Sequence, residues 1–342
     1  MIPYYSPNLT FLRFLKSFLK RDAENKIISY FQRLADKKYI LITNSCRTAL
    51  YLAYKSIGDT GEVITSPLVC KSAINPIIDA GYIPVYCDIL IDDLTMNSDD
   101  VSARISSNTR VIQATHIGGI ACKMDTLCIL AKKNNIVVVE DCAQGLGAKY
   151  KNEFCGSFGD IACFSLIKNA YGIGGGIFAT NDKDLFDRAC FLENQFKKSP
   201  RALLIFRVLR SWLESHRKNH YINYCYSWLM DRRENSIEYK KDRNTIEQLA
   251  KISRLEIILF AGIIHRLNHL HKKRRIVGQH LYNQLKKNEL IYNSYNMSSQ
   301  CSFTKFFVYN PIFQAREMIE FLNILGIEAK HLEQKYKVFY QE

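Results

Sequence analysis

The sequence has no apolar run near the about 20 residues that a membrane-spanning helix needs. Its opening, Met1-Ile2-Pro3-Tyr4-Tyr5, lacks the basic start and apolar core of a secretory signal. Both absences point to the cytoplasm. The 11 cysteines are odd in number and include no C-x-x-C pair. That argues against a disulfide framework and for free thiols in a reducing compartment. Zinc-finger spacing, an RNP motif and heptads are also missing, so nucleic acid is not an expected partner. Acid is scarce: 33 Asp and Glu stand against 47 Lys and Arg, a net charge of +14. A basic balance suits anionic lipid or phosphorylated small molecules.

What is present fits a globular protein. The chain has 342 residues, 47% hydrophobic and 23% charged, enough for one large and one small domain. Strands are expected at Tyr39–Ile42, Glu62–Thr65, Ile83–Asp88 and Arg110–Ala114. Helices are expected from Asn8 or Thr10 onward, at Ala23–Ala35, after Thr48, and at Ile74–Asp79, Asn97–Ile105 and Met124–Asn134. Such alternation specifies a largely parallel sheet wrapped by helices.

The most informative stretch is residues 136–179. The β-branched run Ile136-Val137-Val138-Val139 delivers Asp141 at its C-terminal end, and Ile161-Ala162-Cys163-Phe164 delivers Ser165 and then Lys168. Apolar runs ending in a charge are what buried parallel strands look like when a site sits at their carboxyl edge. An acid and a lysine on neighbouring strand ends have two readings. One is a structural ion pair. The other is a pyridoxal-phosphate site, where the lysine forms a Schiff base and the acid keeps the ring nitrogen protonated. Glycines at 172, 174, 175 and 176 precede a short strand at Ile177-Phe178. A dinucleotide fingerprint would open a helix instead; these glycines let the backbone pass close beneath a bound ring.

The order of these residues resembles the DegT/DnrJ/EryC1/StrS sugar aminotransferases, of the aspartate-aminotransferase-like fold type I. Those proteins carry E-D-x-A-Q, then G-x-x-G-D-x-x-x-F-S, then a lysine followed by a glycine pair. This chain has Glu140-Asp141-Cys142-Ala143-Gln144, Gly156-Ser157-Phe158-Gly159-Asp160, Phe164-Ser165, Lys168 and Gly175-Gly176. The resemblance implies an α/β, PLP-dependent transferase fold with a mainly parallel seven-stranded sheet between helices and a smaller, shortened C-terminal α/β domain. Residues 1–245 would form the large domain, and 246–342 a connecting helix and the small one. The long helix is expected from Ile246 through Leu285, then a strand at Phe306–Tyr309 and a helix at Ala315–Leu325.

The resemblance also implies roles. Lys168 holds pyridoxal 5'-phosphate and carries the proton, Asp141 faces the ring nitrogen, and Gln144 contacts the 3-hydroxyl. Ser165, Arg47 and Thr48 hold the phosphate. Where the family shows N-S-G-T, Cys46 takes the glycine slot and Arg47 the threonine slot. On its residues alone this turn is either a helix cap by Ser45 or Thr48 or an anion site at a helix start. Cys70 fills the slot where many relatives place an aromatic residue on the ring; plain core is its other reading. His116 matches a family histidine and is either a cofactor contact or a hydrogen-bonded structural group. Asp88, Asp92 and Asp93 read as capping and loop residues, and no metal is expected. Lys168 argues against the family branch that carries histidine there and performs dehydration.

The activity implied is amino transfer from an amino acid, glutamate above all, to a nucleotide-linked keto sugar. It would serve cell-envelope polysaccharide or O-antigen (lipopolysaccharide) biosynthesis, in a homodimer. Two rivals stand beside it: a catalytically inactive PLP-fold regulator and a membrane-associated scaffold. The second draws on residues 196–220, where Lys197, Lys198, Arg201, Arg207, Arg210, Arg217 and Lys218 face one acid, Glu214. Interleaved with apolar residues, they read as a peripheral membrane contact or as a surface helix packed on protein. Asp231–Asn244 reads as a linker.

Overall fold

The computed structural model describes residues 22–58, 60–170, 172–199, 201–215, 221, 249–287, 299–307, 316–317 and 320. Alternating elements fill the first half. They are α1 (Ala23–Ala35), β1 (Tyr39–Thr43), α2 (Cys46–Ile57), β2 (Glu62–Thr65), α3 (Lys71–Asp79), β3 (Ile83–Tyr86), α4 (Ser98–Arg104), β4 (Thr109–Thr115), α5 (Met124–Asn134) and β5 (Val137–Cys142). A small hairpin, β6 (Lys149–Tyr150) and β7 (Glu153–Phe154), precedes β8 (Ile161–Ser165) and β9 (Gly176–Thr180). The helices α6 (Lys183–Asn194), α7 (Arg201–Ser215), α8 (Arg254–Ile263) and α9 (Leu267–Lys287) follow, and β10 (Ser299–Gln300) pairs with β6.

Seven strands form one sheet in the order β1-β9-β8-β5-β4-β2-β3. β9 runs antiparallel to both β1 and β8, while β8, β5, β4, β2 and β3 pair in parallel. This is the expected seven-stranded, mainly parallel sheet with a single reversed strand. Its central strands are buried throughout, as β8 and β9 illustrate, because helices cover both faces.

Side-chain alternation sorts the strand residues between two cores. On one face Val138, Cys142, Ala162 and Phe164 join Phe31 of α1, Leu127 of α5 and Phe260 of α8. Phe31 packs on Phe164 with ring centroids 5.2 Å apart, a contact of about 1 kcal/mol beyond its burial. On the other face Val139, Ile161, Cys163 and Phe178 join Leu50 and Leu52 of α2, Ile77 of α3 and Ala189 of α6.

The expected long helix from Ile246 does not form as one piece. α8 starts only at Arg254, where Ser253 caps it and Glu256 closes a reciprocal capping box. Residues 249–253 are not helical, and Lys251 bridges to Lys198. From Arg254 the expected helical region is continuous, with a single 3-10 turn at Ile264–Arg266 linking α8 to α9. No strand forms at 306–307. The expected opening helix, the Asp231–Asn244 linker, residues 308–309 and most of the Ala315–Leu325 helix lie outside the described residues. Among the described residues no helix is long and apolar enough to cross a membrane.

Candidate active site

Register brings the predicted residues to one edge. Thr115 aligns with Asp141 across β4 and β5, while Ser165 and Thr43 both pair with Gly176. The carboxyl ends of β1, β4, β5 and β8 therefore lie side by side, and the loop of residues 166–175 starts among them. Gly175 N–H donates to the Asn44 carbonyl at 3.0 Å, and Leu166 N–H to the Gly175 carbonyl at 3.0 Å, which folds that loop back on the edge.

Asp141 shares the face of Val139 and is 4% exposed. One carboxylate oxygen accepts the Ala143 N–H at 2.9 Å; the other has no hydrogen-bond partner among the described residues. Burial pushes its carboxyl above the ordinary carboxylate range, and the field of Lys168 pulls only partly against this. Asp141 and Lys168 thus feel each other without forming a salt bridge. The half-buried Lys168 amine makes no hydrogen bond among the described residues. Cys46 lies in the fields of both, and burial raises its thiol well above the usual range.

Gln144 is buried, and its side-chain oxygen accepts the Gly118 N–H at 3.1 Å. Its amide nitrogen has no partner among the described residues. Ser165 ends β8, with its hydroxyl 3.4 Å from the Ile167 N–H.

The turn before α2 is an N-cap. Ser45 Oγ accepts the Thr48 N–H at 3.2 Å, and the buried Thr48 hydroxyl donates to Asn44 Oδ1. Arg47 reaches across to α3, where its Nη2 donates to Ser72 Oγ at 2.7 Å. Burial works against its charge, and Cys70 and Cys46 lie in its field. Cys70 itself stands at the N-cap of α3 with no side-chain cap bond. Arg47, Cys46 and Cys70 therefore share one neighbourhood, while the Thr48 hydroxyl is already engaged.

His116 is fully buried on the opposite face from Asp141. Its Nδ1 accepts the Cys122 N–H at 3.2 Å, which leaves Nε2 to donate to Glu140 at 3.0 Å. Glu140 also accepts the N–H groups of Gly156 at 2.8 Å, Phe158 at 2.9 Å and Gly159 at 2.6 Å. Burial opposes its ionisation, but these bonds outweigh it and hold the carboxyl below the ordinary range. The G-x-x-G segment is thus a cradle of backbone donors for Glu140. His116, Glu140 and Cys142 converge closely enough to suggest a metal site, yet the ring nitrogens and the carboxylate are already occupied by protein.

The glycine cluster answers to protein neighbours. A Cβ on Gly176 would meet the backbone of Ser45 and Cys46, and one on Gly174 would meet Glu256 and Arg207, which form an ion pair. Asp93 and Asp88 accept backbone N–H groups of Thr95 and Ile89, at 3.0 and 2.8 Å. Sequence reasoning missed Asn169, whose fully buried side chain is bonded to α9 and to residues 302 and 304. Its place directly after Lys168 was the available signal.

Among curated proteins, the chain is 32% identical over 209 residues to GDP-perosamine synthase of Escherichia coli O157:H7, covering 57% of each chain. It is 38% identical over 164 residues to the spore coat polysaccharide biosynthesis protein SpsC of Bacillus subtilis, covering 46% of this chain and 42% of that one. The chain spans about half the length of these relatives. An aminotransferase from Psychrobacter cryohalolentis superposes with a TM-score of 0.70 at 21% identity, over 95% of this chain and 82% of that one. Helicobacter pylori PseC, an aminotransferase of pseudoaminic acid biosynthesis, gives 0.68 at 16%, over 97% and 85%. At such identities the likeness concerns the fold. The model of the DegT/DnrJ/EryC1/StrS aminotransferase family matches residues 17–202, more than half of the sequence, and the chain belongs to that family.

Proposed function

We propose that the chain is a pyridoxal-phosphate-dependent aminotransferase. It moves an amino group from an amino acid, glutamate, to a nucleotide-linked keto sugar for cell-envelope polysaccharide. One observation carries the reading: a buried carboxylate with an open oxygen stands at a strand tip, near a lysine amine that does not pair with it. A structural ion pair would have closed that gap. The arrangement fits a ring with a protonated nitrogen, which supplies the donor that Asp141 lacks. The relatives named for perosamine and spore coat polysaccharide support the sugar class.

Bound pyridoxal phosphate supplies an electron-accepting ring that stabilises negative charge on the donor's α-carbon. Asp141 holds the proton on the ring nitrogen. Lys168 Nζ would move the proton at the donor's α-carbon. The Gln144 amide would help hold the ring through its hydroxyl. The start of α2, Arg47 and Ser165 bind the phosphate. Thr48 acts through Asn44 and Ser45, by shaping that turn, and Cys46 and Cys70 line its approach. His116 acts from the other face, by holding Glu140 and the loop after β4.

We infer a division near residue 245 into large and small domains by family resemblance; a small apolar cluster of Ile120, Tyr282 and Cys301 would join the two parts. We also infer a homodimer, by family resemblance, and a cytoplasmic setting. The described cysteines are all free, which agrees with a reducing compartment. Purified protein mixed with pyridoxal 5'-phosphate should turn yellow, and borohydride should fix the label on the Lys168 peptide. Lys168→Ala should lose both signals, and label on any other lysine alone would defeat the proposal. Glutamate should then shift the absorbance; no shift would favour the non-catalytic regulator.

A second reading, peripheral membrane contact, draws on α7. Ile205, Leu209 and Trp212 are 69%, 47% and 41% exposed and fall at i, i+4 and i+7. With the exposed Lys197 and Lys198 just before the helix they would match an anionic lipid surface. Sedimentation with phosphatidylglycerol vesicles tests it: Ile205→Ser with Leu209→Ser should abolish co-sedimentation, and no co-sedimentation of the wild type would end the idea.

A further inference from the structure

The Lys168 amine makes no hydrogen bond among the described residues, so its reach is set by the backbone that carries it. On the upstream side that backbone is held by the Leu166–Gly175 bond. On the downstream side it is held by Asn169, which is fully buried. Arg274 Nη1 of α9 donates to Asn169 Oδ1 at 2.9 Å. His271, one turn earlier, donates from Nε2 to the Asn169 carbonyl at 3.1 Å. The two protons of Asn169 Nδ2 face the carbonyls of Gln144 at 2.8 Å and Leu146 at 3.1 Å, Ser302 Oγ at 3.2 Å, and Thr304 Oγ1. Ser302 and Thr304 donate to the same Gln144 carbonyl, at 3.1 and 2.6 Å.

Asn169 is therefore fastened to three stretches distant in sequence: the loop after β5, helix α9, and residues 302–304. A buried amide without partners is strongly unfavourable, so this arrangement holds only while all three stretches are seated. Side-chain bonds at both ends of the amide go beyond what space filling requires.

We propose that Asn169 is a positioning residue for Lys168, and that through Arg274 it makes helix α9 the element that sets where the lysine amine stands. The role for Lys168 in cofactor capture rests on the function proposed above; the positioning itself does not.

The test uses Asn169→Ala, Arg274→Met and Arg274→Lys, with Ile27→Ala in the α1 core as a control for general destabilisation. In cofactor-free protein, acetic anhydride labelling is followed lysine by lysine by mass spectrometry, with the Lys168 rate expressed relative to exposed lysines. With pyridoxal 5'-phosphate, the borohydride-trapped fraction at Lys168 is read at fixed cofactor. Asn169→Ala and Arg274→Met should change the relative labelling rate and lower trapping by about tenfold to a hundredfold, the scale expected of a misplaced reacting group. Arg274→Lys, which keeps a donor, should stay near wild type, and Ile27→Ala should lower the melting temperature without moving either readout. If Asn169→Ala and Arg274→Met lower only the melting temperature, or move the readouts no more than Ile27→Ala does, Asn169 is merely structural and the proposal is overturned. Should wild-type protein trap nothing at Lys168, the proposed function falls, and the labelling arm alone still decides whether Asn169 positions the amine.

Discussion

Glu140 and Asp141 are consecutive in β5 yet serve opposite faces of the sheet. Glu140 is closed off by the His116 ring and three backbone N–H groups. Asp141 keeps one oxygen without a protein partner among the described residues. Strand alternation alone separates the two roles: one carboxylate builds the scaffold, and the other is left under-satisfied where a ligand can use it.

The open carboxylate carries a stability penalty that a substitution should reveal. Burial raises the Asp141 pKa in the fold. A raised carboxyl favours folding below its unfolded pKa, and that advantage is lost as pH rises through the folded value. At pH 8 the burial of this carboxyl therefore opposes folding. Asp141→Asn should raise the melting temperature of cofactor-free protein at pH 8, with the gain shrinking toward pH 4. The same variant should weaken pyridoxal 5'-phosphate binding by about tenfold or more, the loss of one charge-assisted bond. Scanning calorimetry and absorbance titration check the two halves.

Glu140 should behave in the reverse sense. Its pKa is lowered in the fold, so its stabilisation is present above the unfolded carboxylate value and is lost as pH falls through the folded one. Glu140→Ala would leave His116 and three N–H groups without their acceptor, at about 1–3 kcal/mol for each buried donor left unpaired. Urea unfolding at pH 7 should show that deficit, and the gap from wild type should narrow in acid.

Arg47 tests the phosphate end separately from the ring. Arg47→Met should weaken pyridoxal 5'-phosphate by about tenfold to a hundredfold. Pyridoxal, which lacks the phosphate, should bind both proteins alike. Equal losses for the two ligands would remove Arg47 from the phosphate site.

Gly176 tests the seam between β9 and α2. A Cβ there would meet main-chain atoms of Ser45 and Cys46 rather than a yielding side chain. Gly176→Ala should destabilise by about 1–3 kcal/mol, read as a lower urea midpoint, and should disturb the turn that holds Arg47.

Local features were legible in the sequence. Ala23–Ala35 and Met124–Asn134 form helices with the expected bounds, and Asp141 and Ser165 emerge where the apolar runs placed them. The Ser253-x-x-Glu256 capping box was equally local, and overlooking it merged a non-helical stretch into one long helix. The hairpin at Lys151-Asn152, both with positive φ, was hidden by its two-residue strands, which carry too little alternation to register. The cradle around Glu140 and the anchoring of Asn169 were not legible. Their partners lie 16 to 135 residues away, and no local pattern encodes such pairings.

The reversal of β9 has a consequence for the loop that carries Lys168. Two antiparallel neighbours can be stitched together at a single end of a sheet, whereas parallel ones require a return trip to the far end. Residues 166–175 therefore begin and finish at the same rim, beside Ser165 and Gly176. Had that strand pointed the other way, the connection would have had to return across the helical layer to the far end of the sheet. One flipped strand keeps the whole connection, from Leu166 to Gly175, at that rim.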